Sequence, residues 1–93
     1  MTTNSTAPEQ AAVVLERRKL FYDHYLRLLV ARITKNPTGF AYNVNHAPKV
    51  ADNMVEALTR GTAVVSSSAK TAARYCGIDK PNQTTIRKYL TGK

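Results

Sequence analysis

Cysteine is nearly missing from this sequence. The one present, Cys76, can form neither an internal disulfide nor a Cys-rich metal site. Glycine and proline are sparse, at four each, and no internal repeat or low-complexity tract occurs. No stretch reaches ~18 uncharged apolar residues, which excludes an ordinary membrane-spanning helix. The opening residues, Met1-Thr2-Thr3-Asn4-Ser5-Thr6, have neither the basic nor the apolar region of a secretory signal, so a cytoplasmic location is expected. Acidic residues are few as well. The six of them, scattered along 93 residues, offer no paired-carboxylate constellation, and no Gly-rich phosphate loop exists. His24 and His46 stand 22 residues apart without Cys or carboxylate at ligand spacing, so neither metal nor cofactor is expected. Catalysis has no candidate residues, and the chain is not expected to be an enzyme.

Basic side chains are what the sequence has in excess. Fourteen Lys and Arg give a net charge of +8. Residues 1–60 hold eight basic and five acidic side chains. Residues 61–93 hold Lys70, Arg74, Lys80, Arg87, Lys88 and Lys93 against Asp79 alone. A basic end on a chain long enough for one modest core is the footprint of a polyanion partner. Solubility alone is the plainer reading, so charge needs a motif beside it.

Apolar periodicity predicts an all-α fold of four helices, a long N-terminal helix packed on a C-terminal helix-turn-helix unit. Residues 1–7 are small and polar, expected to be disordered, and 8–93 form the domain. The first helix is predicted from about Pro8 to Lys35. Leu15, Tyr22, Leu26, Leu29 and Ile33 share one face of it, which Phe21, Tyr25, Leu28 and Val30 widen. Asn36-Pro37-Thr38-Gly39 breaks the pattern, and residues 36–46 are expected as a loop whose Phe40, Tyr42 and Val44 fold back onto the core. A second helix is predicted over about 47–60, with Pro48 in its first turn and Gly61 as its stop. Ser66-Ser67-Ser68 offer caps for a third helix reaching Cys76 and ending at Gly77. A fourth runs from near Asn82 to Thr91, with Gly92 after it.

Residues 69–93, AKTAARYCGIDKPNQTTIRKYLTGK, carry the functional argument. Ala73 and Gly77 are four apart, with Cys76 and Ile78 as apolar neighbours of the turn. Small Ala72 and Ala73 suit a close helix crossing, and Gly77 a backbone turn with φ above zero. Ile86, Tyr89 and Leu90 cluster on one side of the last helix at ~100° per residue. Thr84, Arg87, Lys88 and Thr91 cluster on the other, with Gln83 at the exposed N-terminal edge. Cys76 reads as a structural thiol, while Tyr75 and Tyr89 are placed on inward faces.

This segment, about 25 of 93 residues, resembles the helix-turn-helix of small phage and bacterial repressors. The resemblance implies a sequence-specific regulator of transcription that binds double-stranded DNA, located with the nucleoid. It implies base contacts from Gln83, Thr84, Arg87 and Lys88 in the major groove. Asn82 and Thr85 match phosphate-holding positions near the helix start, and Lys70, Arg74, Lys80 and Lys93 are expected beside phosphates. The sequence departs from the family by a longer turn: four residues, Asp79-Lys80-Pro81-Asn82, lie between Ile78 and Gln83 where the family has about one. Two-fold symmetry would double the contacts, and a homodimer through Leu15, Tyr22, Leu26 and Leu29 of the first helix is expected. The alternative is a small phage-type adaptor or inhibitor whose first helix docks on a host transcription or replication protein.

Overall fold

A computed structural model describes the backbone of residues 3–36 and 38–92, and the side chains of residues 11–36 and 38–92. Within them the chain forms α1 (Thr3–Lys35), α2 (Phe40–Arg60), α3 (Ser67–Tyr75) and α4 (Gln83–Thr91), with no strand. The fold is all-α. α1 is the spine: α2, α3 and α4 each pack on it, and α4 also leans on α2. The 33 residues of α1 make a rod about 50 Å long at ~1.5 Å per residue. The molecule accordingly measures 57 Å along one axis and 25 and 22 Å across it. Its radius of gyration, 14.7 Å, exceeds the ~12 Å expected of a compact chain this long.

α1 starts at Thr3 and not at Pro8, so five residues of the segment expected to be disordered are helical. Pro8 forfeits the hydrogen bond to the Asn4 carbonyl and crowds it, yet neither Gly nor a second Pro separates it from Thr3. The expected loop over 36–46 shrinks to residues 36–39, because α2 begins at Phe40. Val44, Ala47, Ala51, Val55 and Leu58 form one stripe at helical spacing, and the last four are buried. The alternation of Phe40 and Tyr42 does not direct packing: they are 46% and 65% exposed. Tyr42 instead stacks on His46 one turn later, at 4.4 Å between ring centroids. Pro48 is therefore inside α2 rather than in its first turn. It lies on the exposed side, where water can replace the lost hydrogen bond.

The buried line of α1 also differs from the expected one. Phe21 and Tyr25 sit deepest, with rings stacked at 6.1 Å, while Tyr22, Leu26, Leu28 and Leu29 pack around that centre. Both candidate stripes are apolar, so periodicity alone leaves the face ambiguous by one residue, ~100° of rotation. α3 lies on α1 through a face of small residues: Ala69, Ala72 and Ala73 are fully buried. Direct approach between α3 and α4 is slight, so both are seated through α1 more than on each other.

Candidate nucleic-acid interface

α4 is short, and its ends hold it in place. Asn82 caps it: Asn82 Oδ1 accepts from the Thr85 amide at 2.9 Å, and Thr85 Oγ1 accepts from the Asn82 amide at 2.9 Å. The Thr85 hydroxyl proton faces the Lys80 carbonyl at 3.0 Å. This reciprocal box satisfies two of the amide donors that a helix start leaves unpaired. At the other end, Arg18 of α1 donates from Nε to the Leu90 carbonyl at 2.9 Å. The Arg17 guanidinium sits 5.3 Å from the centre of the Tyr89 ring. Arg18 thus meets the negative end of the α4 dipole, and Arg17 makes a cation–π contact beside it. Ile86 and Leu90 are fully buried and anchor the inner face.

The chain enters α4 through a seven-residue connection over 76–82. Gly77 has φ +95°, the value the turn was expected to need. Ile78 N donates to Ala73 O at 3.0 Å and Gly77 N to Arg74 O at 3.0 Å, the paired bonds of a Schellman end. Ser66 caps α3 by accepting from the Ala69 amide at 3.2 Å.

Gln83, Thr84, Arg87 and Lys88 are all exposed on the outward face of α4. With Gly61 and Thr91 they line an open groove of about 530 Å³. Gln83 donates from Nε2 to the Gly61 carbonyl at 2.9 Å. A Cβ built on Gly61 would lie 3.7 Å from three atoms of the Arg87 side chain, which therefore runs alongside this glycine. No acidic residue lines the groove. Among the described residues the ion pairs are Lys19–Asp23 at 3.5 Å and Arg60–Glu56 at 3.4 Å, both between neighbouring turns of one helix. Among the described residues, Arg87 and Lys88 have no ion-pair partner. The face can offer one amide, one hydroxyl and two cations to an anionic surface.

The residues expected near phosphate divide three ways. Lys70, Arg74 and Lys80 are exposed, but none lines the α4 groove. Asn82 and Thr85 are engaged in the cap, so the side-chain groups read as phosphate holders are already in use. Lys93 lies outside the described residues. Of the expected dimer contacts, Leu15 is 65% exposed, whereas Tyr22, Leu26 and Leu29 pack against the protein's own core. Tyr75, expected to face inward, is 61% exposed and lies beside His24, with centroids 5.3 Å apart. Gly61 is the groove-lining position that sequence reasoning missed. It read as a helix stop, and nothing local links it to Gln83, 22 residues away.

Two groups under α4 have altered acidity. Burial pushes the Cys76 thiol up from its usual value, partly offset by a hydrogen bond with Tyr89. Burial, together with Cys76, raises the Tyr89 hydroxyl to about 12 despite the nearby Arg17. Among the described residues no three His, Cys, Asp or Glu side chains converge as a metal site would need. No described helix is long and apolar enough to cross a membrane. No protein-family model matches the chain, and neither does any curated protein or solved structure.

Proposed function

We propose that this chain is a small sequence-specific DNA-binding protein, a regulator of transcription that lays α4 in the major groove. The observation that carries the reading is the division of α4. Ile86 and Leu90 are fully buried, and Gln83, Thr84, Arg87 and Lys88 all face outward without an acid among them. Each outward side chain matches a group on a base edge. An amide suits adenine, a guanidinium or ammonium suits guanine, and a threonine methyl suits the thymine methyl. Lys70, Arg74 and Lys80 supply positive charge for phosphates flanking that contact. The helix ends at Gly77 and Asn82 support the resemblance to the repressor helix-turn-helix. The longer connection and the slight α3–α4 contact set this chain apart from the tight family form. The test is selection of preferred sites from random duplex DNA, followed by binding measurements across a salt series. A preferred site with affinity falling steeply in salt supports the reading. Equal binding to all duplexes, whatever its salt dependence, or none at low salt, ends it.

A second reading rests on α1. Val13 and Leu20, 43% and 42% exposed, share one face on the N-terminal half of the helix at ~100° per residue, while Leu15, 65% exposed, lies on the opposite side. The shared face favours a protein contact, either a second copy of the chain on a two-fold symmetric DNA site or a different partner protein. Sedimentation analysis distinguishes these: a dimer at micromolar concentration supports the first, and a monomer the second.

A further inference from the structure

The bond between Gln83 and Gly61 has a consequence for what α4 can read. A backbone carbonyl can only accept, so the atom that Gln83 turns toward Gly61 is its NH2 nitrogen, at 2.9 Å. One of the two amide protons is committed there. Nε2 keeps one free proton, and Oε1 keeps its acceptor sites. When the proton trans to Oε1 serves Gly61, the cis proton and Oε1 stay together on the open edge, one donor beside one acceptor.

We infer that Gly61, at the C-terminus of α2, is a positioning residue that locks Gln83 as a reader of one adenine in the bound duplex. This rests on the DNA-binding reading above. Adenine presents N7 as an acceptor beside the N6 amino donor, the complement of what Gln83 keeps free. Guanine offers two acceptors at that edge, and cytosine offers a single donor. Neither satisfies both free groups. A freely rotating glutamine could adapt by flipping its amide, but a flip here would set Oε1 against the Gly61 carbonyl, two acceptors facing each other. Gly61 also has no side chain to displace Arg87, which runs past it. Gly61 thus holds Gln83 by a hydrogen bond and leaves the path of Arg87 open, both from the end of a different helix.

The experiment compares the full chain with Gln83→Glu and Gln83→Leu, on the selected site and on versions with each base pair replaced in turn. Glutamate has the shape of glutamine but cannot donate, so it is repelled by the Gly61 carbonyl and accepts from cytosine N4 instead. The expected result is one A·T position at which the parent discriminates by ~5- to 150-fold. Gln83→Leu removes that discrimination, and Gln83→Glu moves it toward C, while the other positions keep their preferences. The free protein supplies an independent readout. The Gln83 side-chain amide protons should exchange more slowly with solvent than those of glutamine in a short unstructured peptide. If the parent selects a site but both Gln83 variants keep every preference, the inference fails and the DNA-binding reading survives. If the side-chain amide exchanges like that of the peptide, the brace itself is absent. If the parent binds no duplex at low salt, the DNA-binding reading has failed first.

Discussion

At the scale of single residues, the cap at Asn82 fixes where α4 starts. Its Oδ1 and the Thr85 hydroxyl each satisfy one backbone amide of the other, at 2.9 Å in both directions. Asn82→Ala removes one arm of the box and should cost about 1 kcal/mol, read as a lower midpoint in thermal or urea unfolding. Because the side chains are spent on the cap, the same change should weaken DNA binding only as far as it frays α4. Tyr89 and Cys76 report on the packing beneath the helix. The Tyr89 hydroxyl rises from 10.0 to about 12 in the folded chain, so between those values the folded protein keeps a proton that the unfolded chain has lost. Its contribution to stability is full below pH 10 and disappears as pH rises through about 12. A tyrosinate absorbance titration should show a late-ionising tyrosine that Tyr89→Phe removes, and that variant should lose part of the alkaline decline in stability. Cys76, with its thiol pushed up by burial, should react with disulfide reagents more slowly than the unfolded chain at the same pH.

At the scale of elements, what could be read from sequence depended on whether the signal was local. The ends of α3 and α4 are set by Ser66, Gly77, Asn82 and Gly92, each acting on amides or carbonyls within five residues. They are where sequence placed them. The start of α2 was not legible, because Pro48 and the alternating Phe40 and Tyr42 suggested a boundary and a loop. The deciding stripe through Val44 and Ala47 depends on what it packs against. The same limit applied to α1, where the choice between Tyr22 and Phe21 as the central line is made by its three neighbours. The candidate site divides likewise. The outward set on α4 follows from helical spacing around Ile86 and Leu90, but the Gly61 carbonyl reaches Gln83 only through the packing of α4 on α2. α4 therefore depends on its inner face. Ile86→Ala, at a fully buried position, should destabilise the protein by about 2–5 kcal/mol. Arg18→Met, which removes the bond to the Leu90 carbonyl while keeping most of the stem, should cost about 1 kcal/mol. Chemical denaturation checks both, and an Ile86→Ala protein as stable as the parent contradicts the packing described.

At the scale of the whole molecule, charge and shape bear on the same question. The chain is elongated along α1, and positive charge is widely spread, so a basic protein could hold DNA diffusely along its length. A docked α4 makes a different prediction from a diffuse contact. Each phosphate neutralised contributes about 0.9 to the slope of log affinity against log salt, so removing one contacting cation should lower that slope by about 1. Lys88→Ala should do so, because its ammonium lies on the groove with no acid beside it. Lys49 provides the internal comparison. It is exposed on α2, twelve residues before Gly61, or roughly 18 Å along the helix at ~1.5 Å per residue. That distance exceeds the ~10 Å over which charge acts at ordinary salt. Lys49→Ala should therefore leave the slope unchanged, although both variants lower the net charge of +8 by the same amount. If the two substitutions reduce the slope equally, binding follows total charge and α4 is no privileged surface. If Lys88→Ala alone does, the duplex sits where α4 and the end of α2 form their groove.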